Sequence, residues 1–136
     1  STPVVSASAN SMTIRGEGSA QTSIQQGLAK SWITYTCVST TATQDSNNIS
    51  GVTDNATGDT TLAFTSNYGN INFCSTGGGS YTSGGSGCDV CFDRIGSTGN
   101  ESAPTTSAKR CNSIKTDNGS IADLEYNYAT LHGDLA

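Results

Sequence analysis

The chain has few charged residues, and its basic residues are especially sparse. Only 12% of its 136 residues are Asp, Glu, Lys or Arg, which is about half the usual share in soluble domains. Six basic residues stand against eleven acidic ones, for a net charge of -5, and the basic ones are scattered along the chain. Nucleic-acid binding depends on clustered Lys and Arg, so this balance argues against that class of function.

Two kinds of segment are also missing. No apolar run approaches the roughly 20 residues that a membrane-spanning helix needs, and residues 1–30 lack the basic-then-apolar order of a secretory signal. Ser1 is a small residue of the kind left where an initiator Met is trimmed, so the sequence predicts synthesis in the cytoplasm without export. We expect neither a membrane nor a nucleic acid among the partners.

Neutral polar residues take the place of charge. Ser, Thr, Gly and Asn separate short runs rich in Thr, Val, Ile and Tyr. Branched and aromatic side chains fit a pleated, half-buried surface better than a helix. About seven or eight such runs with turn residues between them predict an all-β, antiparallel β-sandwich of the jelly-roll or immunoglobulin-like kind. The length suits one domain.

The composition changes near Lys30. Residues 1–30 predict an extended N-terminal arm and short linker, and residues 31–136 predict the sandwich. The apolar residues of the arm are too sparse for a core of their own, so we expect neighbouring chains to order this assembly arm. Residues 23–30, SIQQGLAK, predict one or two helical turns. The apolar residues of the arm are Val4, Val5, Met12 and Ile14.

Three aromatic residues are the predicted core anchors. Trp32 begins the run 32–38, which has bulky residues on both faces and predicts a central strand. Phe64 and Tyr126 belong to strands predicted over 61–65 and 124–131. Further strands are predicted over 41–46, 70–76, 89–95 and 108–116, a hairpin turn over 54–59, an irregular crossing over 48–53, and loops over 77–85 and 96–107.

The five cysteines leave several interpretations open. Disulfides formed after release into an oxidising medium are the favoured one, with the odd thiol buried or bonded to another copy, and free thiols come next. A zinc site would need a second correctly spaced pair beside the one CxxC, and redox catalysis would need that CxxC at a helix N-terminus. We therefore expect no metal. The cysteines are Cys37, Cys74, Cys88, Cys91 and Cys111, and the CxxC is Cys88 to Cys91.

No set of residues predicts catalysis. His132 is the only histidine, and no GxSxG nucleophile motif accompanies it. The acidic residues show no spacing that singles out an acid–base pair for glycoside hydrolysis. We therefore expect no enzyme and no cofactor. The carboxylates considered are Glu17, Asp59, Asp93, Glu101 and Glu125.

Two polar segments are candidates for ligand contact. Tyr81 lies among flexible glycines, and Tyr with Ser and Gly offers contact area and adaptable hydrogen bonds. We therefore name it as a recognition-loop candidate beside the simpler alternative of a solvated loop. Closely spaced oxygens in the predicted hairpin turn suit calcium, although the turn itself explains them more simply. These belong to Asp54, Asn55, Thr57 and Asp59.

Several segments share a pattern with a known family. Residues 25–32 read QQGLAKSW, residues 49–59 read ISGVTDNATGD and residues 13–18 read TIRGEG. They resemble a domain of structural proteins of tailed bacteriophages, especially marine ones, whose corresponding segments read QQGLAKAW, VSSITDNGTGDY and ISVxGEGG. Phe64-Thr65 and the closing Gly133-Asp134-Leu135 continue the likeness, which covers about half the chain. The tight Asn-Gly turn of that family is Asn55-Ala56 here.

The resemblance implies a place of action rather than a chemistry. It implies a trimeric, β-rich assembly on the virion surface. We therefore expect a bacteriophage virion surface structural protein, namely a homotrimeric capsid decoration or cement protein or head spike, assembled in the host cytoplasm. Its partners would be copies of itself and the major capsid protein or another virion protein. The alternative is a tail-fibre or tail-tip protein that binds a host glycan or receptor through loops 77–87 and 96–107, and a secreted carbohydrate-binding module is a third.

Overall fold

The computed structural model describes residues 5–8, 11–15, 21–80, 88–92 and 103–136. Within these ranges the chain forms two antiparallel β-sheets and one helical turn, which confirms the predicted all-β, antiparallel fold. No helix in this part of the chain has the length and apolar character needed to cross a bilayer. The elements are Val5–Ser8 (β1), Ser11–Arg15 (β2), Gln21–Ser23 (β3), Ile24–Gly27 (α1), Ser31–Thr36 (β4), Ala42–Asn47 (β5), Ile49–Ala56 (β6), Asp59–Phe64 (β7), Cys74–Ser80 (β8), Cys88–Phe92 (β9), Ala108–Lys115 (β10) and Tyr126–His132 (β11).

The smaller sheet occupies the segment predicted as an arm. Its order is β1-β2-β3, with Val5 opposite Ile14 in the backbone ladder. Met12 is 43% exposed, and Val4 lies outside the described residues. The helical turn α1 follows where the sequence predicts one, so that prediction is confirmed.

The larger sheet has the order β5-β4-β11-β8-β9-β10-β7-β6. Its two four-stranded halves meet at β8 and β9, whose registered pair is Gly79 with Cys88. Side chains from both halves share one core, and the Tyr35 hydroxyl of β4 lies 3.0 Å from Thr60 Oγ1 of β7. The sheet therefore folds over on itself, as a sandwich whose halves remain joined along one side.

The core lies between these halves. Leu62 and Phe64 are both buried, as the alternation in β7 predicts. Three aromatic rings cluster at one end, where the centroids of Phe64 and Tyr68 are 4.8 Å apart and those of Tyr68 and Phe73 are 4.6 Å apart. The buried hydrophobic residues are Ile33, Tyr35, Cys37, Leu62, Phe64, Tyr68, Cys111, Leu124, Ala129 and Leu131.

Two of the three predicted core anchors lie elsewhere. Trp32 is 37% exposed, so its assignment to the core is wrong. Strand β4 alternates, and Ile33 and Tyr35 take the inward positions, which leaves Trp32 on the outer face. Tyr126 is half-buried for the same reason, because the inward position beside it belongs to Asn127.

Buried polar side chains form hydrogen bonds with one another inside the sandwich. The Asn127 amide donates to the Tyr35 carbonyl at 3.2 Å and to the Leu124 carbonyl at 3.1 Å. Its oxygen accepts from the Ser113 hydroxyl at 2.8 Å. An unpaired buried polar group is costly, so Asn127 is accommodated because each of its groups has a partner.

Two stretches are more regular than the sequence predicts. Residues 77–79, predicted as part of a flexible loop, belong to β8, and each pairs with a residue of β11. Residues 49–56 form the continuous strand β6, with two bulges, rather than an irregular crossing. In both cases backbone hydrogen bonds to a neighbouring strand outweigh the weak β-propensity of glycine and asparagine.

Candidate functional site

The outward side of β4 and β11 carries two large aromatic side chains. In the ladder between these strands, Trp32 is opposite Thr130 and Thr34 is opposite Tyr128. Because side chains alternate along a strand, all four lie on the same face of the sheet. Trp32 and Tyr128 are therefore diagonal neighbours, a relationship that places residues roughly 7–8 Å apart.

Both aromatic rings are accessible to solvent. Trp32 is 37% exposed and Tyr128 is 45% exposed, although each lies within a strand that has neighbours on both sides. Within the part of the chain that the structure describes, neither the Trp32 indole nor the Tyr128 hydroxyl has a hydrogen-bond partner. Each side chain therefore presents an apolar surface and an available polar group.

The flanking strands β5 and β8 complete this face. On the β8 side, Tyr128 is opposite Gly78 and Thr130 is opposite Thr76. A Cβ placed at Gly78 would meet nothing within 4 Å, so the space over Gly78, next to Tyr128 in the ladder, is open. On the β5 side, Trp32 is opposite Asn47 and Thr34 is opposite Asp45. We call this surface the outer aromatic face, defined by Trp32, Thr34, Tyr128, Thr130, Thr76, Gly78, Asn47 and Asp45.

The outer aromatic face is almost uncharged. Strands β4, β5, β8 and β11 contain no Lys or Arg. Asp45 lies at the rim on the edge strand, where its carboxylate accepts a hydrogen bond from the Ser46 backbone at 2.8 Å. The arrangement suits a neutral, hydroxyl-rich ligand better than a polyanion.

A second cluster surrounds the β6–β7 hairpin turn, which the sequence predicts correctly. Gly58 has φ +61°, and a Cβ there would collide with Ile121 Cγ2 and lie 2.8 Å from the Ala122 nitrogen. The Gly58 amide donates to Asp123 Oδ1 at 2.6 Å. This turn is therefore closely packed against the segment that precedes β11.

Asp59, next to that turn, is tied to the adjacent strand. Arg110 Nε donates to Asp59 Oδ1 at 2.7 Å, and Arg110 Nη2 pairs with Asp59 Oδ2. The Arg110 hydrogen bond holds the pKa of Asp59 below its ordinary value. Asp54 accepts a hydrogen bond from Thr41 at 3.0 Å. Because both carboxylates are engaged by protein groups, the hairpin explains these oxygens better than a calcium site does.

The described cysteines occupy contrasting environments. Cys37 is a buried free thiol, and burial followed by the nearby Asp123 and Asp54 charges raises its pKa to about 11. Cys74 is an exposed free thiol opposite His132 in the β8–β11 ladder. The favoured prediction of disulfides is therefore not met at Cys37 or Cys74. Cys111 is buried on β10, and the backbone of β9 contains Cys88 and Cys91.

The remaining site predictions are not brought together into one site. Among the described residues, no group of three or more His, Cys, Asp or Glu side chains is arranged to hold a metal ion. The predicted recognition residue Tyr81 lies outside the described residues, as do the carboxylates Glu17, Asp93 and Glu101. Sequence reasoning missed the outer aromatic face, although strict alternation applied to 31–36 and 126–132 would have placed Trp32 and Tyr128 on one side.

Comparison of the chain with protein families, curated proteins and solved structures found no match. The candidate site therefore depends on the geometry of this chain alone. That geometry has two main features. One is the exposed, almost uncharged outer aromatic face, and the other is the closely packed β6–β7 turn.

Proposed function

We propose that the chain is a non-enzymatic structural protein of the bacteriophage virion surface, acting as a homotrimeric capsid decoration protein. The observation that carries the proposal is the structural use of the phage-like turn motif. Gly58 and Asp59, both within that motif, contact Ala122, Asp123 and Arg110. This supports the interpretation of the motif as a signature of fold and assembly rather than of chemistry.

The end strands of the large sheet support assembly with other copies. Strands β5 and β6 are the two end strands of the sheet order. β5 has the sequence ATQDSN, which contains neither Lys nor Pro, and its protective features against pairing are limited to Asp45 and one bulge. Exposed edges of this kind attract other strands unless something covers them. In a closed trimer, each copy would cover an edge of its neighbour through a head-to-tail contact.

The polar groups of the core support a non-catalytic role. Tyr68 donates to Ser31 Oγ at 2.8 Å, and both residues are buried. Asn127 and Ser113 are likewise engaged with each other and with the backbone. These groups stabilise the sandwich from inside, where a substrate has no access.

The proposal is tested by the copy number of this polypeptide in purified virions, measured by quantitative mass spectrometry against the major capsid protein. A stoichiometry near that of the capsid protein supports decoration, and absence from particles overturns the virion assignment. Sedimentation equilibrium of the purified chain tests the trimer, and a monomer at all concentrations would contradict it.

A second candidate function is receptor binding at a tail fibre or tail tip. The observation that favours it is the pair of aromatic rings, Trp32 and Tyr128, exposed on one face of the sheet, because neighbouring exposed apolar groups often mark a ligand-binding surface. A copy number that is a low multiple of three per virion would support this candidate over decoration.

A further inference from the structure

We infer that the outer aromatic face binds a neutral oligosaccharide, with the Trp32 and Tyr128 rings as stacking surfaces and the open space over Gly78 as the place for a sugar ring. The inference goes beyond the structural role proposed above. It applies to a decoration protein or a tail protein, and it is tested on the purified chain without virions.

The chemistry of the two side chains suits a sugar. A pyranose ring has apolar C–H faces and an equatorial rim of hydroxyls, so it needs flat apolar contact and hydrogen-bonding groups together. Trp and Tyr combine both properties in one side chain. Trp32 and Tyr128 are exposed, and around them Thr34, Thr130 and Asn47 provide hydroxyl and amide groups at registered positions.

The charge of the face identifies the class of sugar. The four strands that form it carry no Lys or Arg, whereas binding of sulfated or other strongly anionic polymers depends on basic clusters. The chain as a whole has a net charge of -5, which would repel a polyanion. Asp45 at the rim is suited to accept hydrogen bonds from neutral hydroxyls.

The extent of the apolar area argues against a second protein as the occupant. A stable protein interface buries about 800 Å² on each partner and has a core of clustered apolar residues. Here two aromatic side chains are surrounded by Thr, Asn and Gly, and Thr rarely contributes much to protein–protein affinity. Two aromatic rings set among polar residues do not form such a core.

Gly78 determines the shape of the face. It is opposite Tyr128, and the space that a Cβ would occupy is empty. A Cβ at this position meets nothing within 4 Å, so we expect a β-branched residue, which favours strands, to fit here and to fill the space next to Tyr128. Gly78→Val therefore separates ligand binding from folding.

The test uses the full chain and its own fluorescence. Trp32 is the only tryptophan, so its emission reports directly on the face. The probes are cellohexaose, xylohexaose, mannohexaose and maltohexaose, with heparin as the anionic probe. We expect at least one neutral hexasaccharide to shift the emission and protect Trp32 from acrylamide quenching, with a dissociation constant confirmed by calorimetry, and we expect heparin to bind more weakly.

Matched variants define the site. Gly78→Val and Tyr128→Ala should each weaken binding at least about tenfold, and Gly78→Val should unfold at a urea concentration no lower than that of the unmodified chain. Ile71→Ala removes a side chain that is 50% exposed and belongs to none of these strands, and it should leave binding unchanged.

Three results would overturn the inference. The first is that none of the four neutral saccharides changes the Trp32 emission at millimolar concentration, and the second is that Gly78→Val binds saccharide as tightly as the unmodified chain. The third is that protection of Trp32 from acrylamide rises with the protein concentration and not with the saccharide concentration. The last result would identify the face as a contact between copies. None of them would affect the virion copy number, which tests the proposed structural role separately.

Discussion

Asp59 and Arg110 form an ion pair that joins the start of β7 to β10. Both side chains are largely shielded, at 10% and 19% exposure, and the guanidinium contacts both carboxylate oxygens. The Asn55 amide donates a further hydrogen bond to Asp59 Oδ1 at 3.1 Å. The pair therefore connects the β6–β7 turn to a strand some fifty residues later in the chain.

This pair predicts how stability depends on pH. The pKa of Asp59 in the folded chain is below its ordinary value of 3.8. The contribution of the ion pair to the unfolding free energy is therefore complete above pH 3.8. It is lost as the pH falls through the lower pKa of Asp59 in the folded chain. Asp59→Asn should lose about 2 kcal/mol of unfolding free energy at pH 7 and should lose less additional stability between pH 5 and pH 3. Urea denaturation at each pH measures both effects.

The control for this prediction is Asp45→Asn. Asp45 is exposed on β5 and accepts a hydrogen bond from its neighbour Ser46, so its replacement should change stability by less than ~0.5 kcal/mol. An acid profile that is the same in Asp59→Asn and the unmodified chain would contradict the role assigned to the pair.

Two glycines with positive φ predict different costs for the same substitution. Gly58→Ala adds a Cβ that meets Ile121 and the Ala122 backbone, whereas Gly119 has φ +71° with nothing within 4 Å. Gly119→Ala should therefore cost only the backbone strain, about 1 kcal/mol, and Gly58→Ala should cost about 3 kcal/mol because steric overlap is added. Thermal and urea unfolding of both variants measure the difference, and equal losses would contradict the close packing of the turn.

We expect replacement of the buried Asn127 amide to lower the unfolding free energy strongly. Leu is similar in size to Asn, but Asn127→Leu removes the amide that hydrogen-bonds to the Tyr35 and Leu124 carbonyls and to the Ser113 hydroxyl. We expect a loss of about 3 kcal/mol in unfolding free energy. The same change at Asn47, which is exposed on β5, should alter stability by ~0.5 kcal/mol or less. A neutral or stabilising Asn127→Leu would show that the polar network is dispensable.

The thiols predict a sharp difference in reactivity. At pH 8, exposed Cys74 should react quickly with iodoacetamide, whereas Cys37 should react only after unfolding, because its pKa of about 11 leaves little thiolate and it is buried. Peptide mapping by mass spectrometry identifies which cysteine is labelled. Cys74→Ser should remove labelling at this position and leave Cys37 protected. Labelling of native Cys37 as fast as Cys74 would contradict its buried position.

Local patterns in the sequence predicted much of the fold. The alternation of Leu62 and Phe64 correctly identified an inward face of β7, and the residues of 54–59 correctly predicted the hairpin. These predictions succeeded because the signal lies within a few residues of the chain. The candidate site was not predicted in this way, since Tyr128 joins Trp32 only through the pairing of β4 with β11.

Composition and turn chemistry alone determined that this chain forms antiparallel strands, because branched residues and positive-φ turns act over a few residues. Only the tertiary structure decided which side of β4 faces the core. Trp32 is bulky enough to predict burial, but Ile33 and Tyr35 meet the opposite half of the sandwich and occupy the inward positions. Residues 77–79 are glycines without side chains that favour a strand, and they belong to β8 because each pairs with a residue of β11. Both outcomes depend on contacts between residues far apart in the chain, which short-range patterns do not contain.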